Sequence, residues 1–242
     1  MARNGTPILA VLVDADNSSP KWAEPIFEEI ASLGEASVRR IYGDFSRQAM
    51  AGWQEKLPTL ALVPHHQPAN TVGKNSSDIA LVIDAMDLLH SGRFDGFVLV
   101  SSDSDFTRLA SRIREQGLDV YGIGQQKTPE AFRKACKRFI FVENILRDPE
   151  TAQAPSTPAA PTPKAARPQV TAAVPLINAA MQALDPEGEW FPLGLIGQTI
   201  QSAHPDFDSR SYGCSKLSDL VDRAGRYEIR RTGAQVEVRR RD

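Results

Sequence analysis

Cysteine is almost absent from this sequence: Cys136 and Cys214 stand far apart, at no metal-ligand or redox spacing. That excludes a disulfide framework and a cysteine-built metal site, and both residues are expected in core or boundary positions of a protein kept in a reducing cytoplasm. An excess of either charge is missing too. Lys and Arg number 28 against 30 Asp and Glu, a net charge of -2, so any attraction to nucleic acid or an acidic membrane must come from a local patch. No apolar run approaches the roughly 18 residues of a membrane span, and MARNGTP precedes the first strand without an export signal, so neither is expected. No G-x-G-x-x-G or Walker pattern follows the first strand, which leaves dinucleotide and nucleoside triphosphate binding unsupported. Histidines are few, and adjacent His65 and His66 at a strand end point opposite ways into loop or core positions.

What the sequence does contain is organised around DGFVLVSSDSDFTRL, residues 95 to 109. The apolar run Phe97 to Val100 gives way to Ser101, Ser102, Asp103, Ser104 and Asp105, and then to Phe106, Leu109, Ala110 and Ile113 at helical spacing. The pattern predicts a buried strand, a tight acidic turn and a helix. In open α/β sheets ligands collect beyond the carboxyl ends of strands, which is where these aspartates fall. Ile8 to Val13 is a second continuous apolar run, ending in Asp14, Ala15, Asp16 and Asn17; Ser18, Ser19 and Pro20 then open a helix buried through Trp22, Ile26, Phe27 and Ile30. Strands are also expected over Ala36 to Tyr42, running into Gly43, Asp44 and Phe45, and over Leu60 to Val63, Leu118 to Ile123 and Arg138 to Val142. Short helices are expected around Gln48 to Lys56 and Pro129 to Cys136. Gly73 to Ser77 reads as a turn, and Asp78 opens a helix through Leu89. Its apolar centre is expected near Ile79, Val82, Ile83, Met86 and Leu89, with Asp78 on the flank and Asp84 nearly opposite, which ranks Asp78 above Asp84 as a site residue. Alternating strands and helices signal βαβ units and a parallel sheet.

The first domain is therefore assigned to residues 1–150. Residues 151–173 hold five prolines, eight alanines and no aromatic residue, the composition of a semi-rigid tether. From 174 to 242 a second domain is expected: a helix through Leu176, Ile177, Ala180, Met181 and Leu184, helices over Leu193 to Ala203 and Ser215 to Ala224, and a hairpin of Tyr227 to Arg231 with Gln235 to Arg239. These are the parts of a winged helix. It holds nine basic and ten acidic residues, yet Arg223, Arg226, Arg230, Arg231, Arg239, Arg240 and Arg241 cluster near its end.

Asp14, Asp16, Asp44, Asp103 and Asp105 fall at predicted carboxyl ends of strands, and Asp78 starts a helix at the same edge. Converging carboxylates repel one another and hold protons unless a cation neutralises them. An all-oxygen set without His or Cys suits Mg²⁺ or Mn²⁺, which also binds phosphate oxygens. Such an ion can activate water for attack on a phosphodiester, so no nucleophilic side chain is required. Lys74, close to Asp78, is a candidate phosphate contact.

Residues 7 to 145 resemble the NYN family of PIN-like ribonucleases, including its LabA-like branch, through VLVDADN at 11 to 17, YGDF at 42 to 45, the turn from Lys74 to Asp78, and SSDSDF at 101 to 106. The resemblance implies a Rossmann-like α/β sheet and a metal-dependent hydrolase that cleaves RNA, with endonuclease action the expected mode. It implies an acidic catalytic and metal site of Asp14, Asp78, Asp103 and Asp105, with Asn17 ordering the first turn and Asp16, Asp44 and Ser102 in support. The turn KNSSD departs from a shorter, more glycine-rich approach, which bears on Lys74 more than on Asp78. Residues 174 to 240 resemble a LOTUS (OST-HTH) domain through EWFPLGLIGQTI, HPDFDSRSYGCSKLSDLV and the final hairpin. That likeness implies RNA binding, with Arg230, Arg231 and Arg239 the expected contacts, or docking of a protein partner. Two competing readings stay open: an adaptor whose acidic site no longer cuts, and a phosphatase of the haloacid dehalogenase type that also begins with a strand and D-x-D. Against the phosphatase, no room is left for its flap and the residue expected after D-x-D is absent.

Overall fold

The computed structural model describes residues 5–66, 76–146, 168–233 and 235–241. Two compact units divide after Leu146. In the first, six parallel strands lie in the order β3-β2-β1-β4-β5-β6: β1 Ile8–Asp14, β2 Glu35–Gly43, β3 Val63–His66, β4 Gly96–Val100, β5 Asp119–Gly124 and β6 Arg138–Phe141. The helices are α1 Ala23–Ala31, α2 Ala51–Thr59, α3 Ser76–His90, α4 Thr107–Glu115, α5 Glu130–Ala135 and α6 Val142–Ile145. This is the doubly wound order in which the chain reverses direction between β1 and β4, opening a crevice beyond their carboxyl ends.

The apolar run of β1 is covered on both faces because its side chains alternate between two cores. Leu9, Val11 and Val13 join Ile26, Ile30 and Trp53 on one side. Ala10 and Leu12 join Leu81, Leu99, Phe106 and Leu109 on the other. Each core strand residue is at most 1% exposed, so truncating Leu12 to Ala should cost about 2–5 kcal/mol.

Two expectations are corrected. The third strand is Val63–His66 and not Leu60 to Val63: α2 continues to Thr59, the chain reverses through Ala61 at φ 51°, and the buried Leu62 donates its N–H to the Leu57 carbonyl. Pro64 is tolerated because this strand lies at the sheet edge. On α3 the buried stripe is Leu81, Ala85, Leu88 and Leu89, while Ile79 and Ile83 are 61% and 58% exposed. A helix apolar on nearly every side does not fix its own rotation. Asp84, expected on the solvent side, does so by accepting from Arg40 and Tyr42 on β2. His65 and His66 do diverge: His65 lies against Tyr42, and His66 Nδ1 accepts the Phe45 N–H at 3.1 Å.

The second unit contains α7 Val174–Leu184, α8 Leu193–Ala203 and α9 Leu217–Ala224, with a three-stranded sheet in the order β7-β9-β8. Here β7 is Phe191–Pro192, β8 Tyr227–Thr232 and β9 Gln235–Arg240. Ile177, Ile196, Ile200, Leu220, Val221 and Val238 form its core. A short 3-10 helix, Val170–Ala173, lies within the stretch read as tether, and Ala173 is buried in this core. The free thiols Cys136 and Cys214 are both buried.

Candidate active site

The first turn after β1 is built on Asp14, which is 1% exposed. Its Oδ1 accepts the N–H groups of Asp16 and Asn17 at 3.1 and 3.2 Å, and its Oδ2 accepts the Asn17 side-chain amide at 2.9 Å and the Ser101 hydroxyl at 2.6 Å. Both oxygens are thus occupied. Burial pushes the Asp14 pKa up, although the Ser101 and Asn17 hydrogen bonds oppose it. Ser101 also accepts the Asp103 N–H at 3.0 Å, so one hydroxyl couples the turns that follow β1 and β4. Asp103 caps the next turn by accepting the Asp105 N–H at 2.9 Å.

Asp78 enters from the first turn of α3 and is half-buried. Its pKa is raised to about 6, first by burial and then by repulsion from Asp14, Asp103, Asp16 and Asp105. Five aspartates therefore share one electrostatic neighbourhood at the crevice. Ser77, beside Asp78, donates to Asp16 Oδ2 at 3.1 Å and ties α3 to the first turn. Arg47 lies 3.7 Å from Asp16, with its side chain 60% exposed. Among the described residues, no three His, Cys, Asp or Glu side chains meet closely enough to hold one ion between them.

The other expected residues divide. Asn17 orders the first turn through two hydrogen bonds to Asp14. Ser102 accepts the Gln125 N–H at 2.9 Å and anchors the loop after β5. Asp44 is buried and closes its own turn on Ser46. Lys74 lies outside the described residues. The β5 loop also brings Gln125 and Lys127 to a cleft of about 440 Å³ shared with Trp22, Asp16, Asn17 and Asp103. Gly124 permits this: a Cβ there would fall 2.5 Å from the Ser101 carbonyl oxygen. Ser101, Lys127 and Trp22 are absent from the residues expected by sequence. The strand-end rule that singled out the aspartates, applied to β5, would have found Lys127.

In the second unit, Arg230 pairs with Glu237 at 2.6 Å, and Arg239 pairs with Glu189 and with Glu228, the latter at 2.5 Å. Both guanidinium groups lie over Trp190, 4.3 and 4.8 Å from the ring centre. Arg231 is exposed on the same hairpin. A separate cleft of about 330 Å³ is lined by Arg226, Arg240 and Arg241 with Thr171, Asn178 and Tyr227. Among the described residues, none of these three arginines has a carboxylate partner.

A doubly wound parallel sheet with an acidic edge at its switch point fits a PIN-like α/β domain. Residues 8–143 match the model of the NYN domain, and the chain belongs to that family. Residues 168–238 match the OST-HTH/LOTUS domain. The structure is similar to the crystal structure of VPA0982, a protein of unknown function from Vibrio parahaemolyticus, with a TM-score of 0.50 at 19% identity, covering 60% of this chain and 98% of that one. That likeness shows the fold alone. Among curated proteins none matches. No described helix is long and apolar enough to cross a membrane.

Proposed function

We propose that this protein is a metal-dependent ribonuclease that cuts RNA internally at the acidic edge, while its second unit supplies RNA contacts. The observation that carries this reading is the placing of Asp14 and Asp16 after β1 and of Asp103 and Asp105 after β4 around the half-buried Asp78 of α3, whose pKa burial and these carboxylates push up to about 6. So much negative charge gathered around one half-buried acid is stabilised by a cation. The donors are all oxygens, which fits Mg²⁺ or Mn²⁺. With both Asp14 oxygens occupied, Asp78, Asp103 and Asp105 would hold a hydrated ion through its waters and by charge, without all three binding it directly, and Asp14 would add its charge while fixing the turns. An ion that keeps most of its own waters suits a site where three carboxylates do not meet. When bound, it would supply an activated water at neutral pH and offset charge building on the phosphate. A cytoplasmic setting accords with the two free thiols.

The second unit would meet RNA through arginines that lack carboxylate partners among the described residues, Arg226, Arg231, Arg240 and Arg241. Arg230 and Arg239 would first have to leave their glutamates. Docking of a protein partner through this unit is the alternative use of the same surface.

One observation favours a non-cutting adaptor: no three acids converge among the described residues, and Asp14 is saturated with donors. The same saturation removes the nucleophile that a phosphatase of the haloacid dehalogenase type would need. Incubating structured and unstructured RNAs with the protein and Mg²⁺ or Mn²⁺ separates the readings. Cleavage lost on Asp103→Asn supports the nuclease, whereas binding without cleavage under every condition supports the adaptor.

A further inference from the structure

The cleft beside the aspartates has three unlike walls. Asp16, Asn17 and Asp103 form an acidic one, Trp22 an aromatic one, and Gln125 with Lys127 the third. An acidic edge alone repels a polyanion, so a strand brought there needs a cation elsewhere in the same cleft. Among the described residues, Lys127 is the cation that lines it. Lys56, Lys134 and Lys137 each pair with a carboxylate; among the described residues Lys127, which is exposed, does not.

The loop that presents Lys127 is pinned on either side of it. Gln125 N–H donates to Ser102 at 2.9 Å, Gln126 N–H to the Glu143 carboxylate at 3.0 Å, and Thr128 N–H to the Gln125 carbonyl at 3.0 Å. A charge held on a fixed turn loses little freedom when it takes a ligand. Trp22 closes a short 3-10 turn, Pro20–Trp22, capped by Ser19, and it packs half-buried against the core below while facing the polar cleft. An indole at the mouth of a polar cleft offers a face to a flat apolar group.

We propose that this cleft is the subsite for the nucleotide next to the scissile phosphate: its base lies against Trp22, and its outer phosphate takes the Lys127 ammonium and the Gln125 side-chain amide. The assignment rests on the nuclease reading, because the aspartates place the scissile phosphate. Every base has a π face, so the subsite grips without reading sequence, and only an unpaired base can present that face.

The test uses the full-length chain with Asp103→Asn, to prevent cutting, and two probes of equal length: oligoadenylate and an abasic ribose-phosphate oligomer. Trp22→Leu keeps a smaller apolar side chain against the core and should weaken oligoadenylate on the order of 10-fold while leaving the abasic oligomer unchanged. Lys127→Ala should weaken both probes alike and lower the salt slope by about 0.7. A 4-thiouridine oligomer irradiated in the complex should cross-link to Trp22, which keeps the readout apart from RNA held by the second unit. Equal effects of Trp22→Leu on both probes, or cross-links confined to residues 168–241, would overturn the subsite. Wild-type cleavage that is unaltered by either substitution would also remove the subsite and leave the nuclease standing, whereas base-dependent binding at Trp22 without wild-type cleavage would remove the nuclease and leave the binding cleft.

Discussion

On the outer face of the second unit's hairpin, Arg230 and Arg239 share Trp190, and each also meets a glutamate. At the sheet edge of the first unit, Asp78 faces four other carboxylates, and the exposed Arg47 lies 3.7 Å from Asp16. Charges that neutralise one another across a strand pair fasten the strands together. Charges of one sign gathered at one edge cost stability and are kept where a ligand offsets them. The same contrast recurs inside each unit. Among the described residues Asp14 is saturated with donors while Asp78 is not, and Arg230 and Arg239 are paired with glutamates while Arg226, Arg240 and Arg241 are not.

The contrast within the acidic site is the sharpest to break. Asp14→Ala leaves the Ser101 hydroxyl and the Asn17 amide without their buried acceptor and should cost about 3 kcal/mol in denaturant unfolding. Asp103→Asn keeps a cap oxygen and should leave stability within about 0.5 kcal/mol. Equal losses would make both acids structural.

A pH series sharpens the same comparison. The folded state holds the Asp78 proton more tightly than the unfolded chain does, since its pKa is raised from 3.8 to about 6. In chelator, stability should therefore be lost as pH climbs through this window and stay lost above it, by about 1 kcal/mol once partial exposure is allowed for. Adding Mg²⁺ or Mn²⁺ above pH 6 should recover it, and Asp78→Asn should flatten both effects. A melting temperature that is indifferent to ion and pH would remove the claim of clustered negative charge.

Much of this arrangement was legible in the sequence, because its signals were local. β1 and β4 read as buried strands since their runs are continuous, and the aspartates stood at their ends. Helix α8 was bounded as observed, at Leu193–Ala203. What escaped depended on partners distant in the chain. Ser101 joins two turns through a hydrogen bond spanning 87 residues, and nothing in SSDSD distinguishes it from Ser102. The pairing of Arg230 with Glu237 follows from strand register, which composition does not reveal. The rotation of α3 was set by Asp84 on Arg40 and Tyr42, so Ile79 and Ile83 ended in solvent.

The second unit carries the smallest expected effect. Replacing Arg226, Arg240 and Arg241 together should weaken RNA binding and lower its salt slope by about 0.7 for each phosphate no longer neutralised. Replacing Arg230 and Arg239 should leave the slope nearly unchanged and loosen the hairpin, seen as faster amide exchange along β8 and β9. The reverse outcome would mean that the paired arginines open to meet RNA.

The central claim is that the clustered aspartates of the first unit cut RNA with a divalent ion, and linearisation of a labelled circular RNA tests it most directly, since only an internal cut opens a circle. The wild-type chain should open the circle with Mg²⁺ or Mn²⁺ and stop when chelator is added, and Asp103→Asn should bind the circle without opening it. A circle that stays closed with wild type and either ion, or one that Asp103→Asn opens at the wild-type rate, would contradict the account.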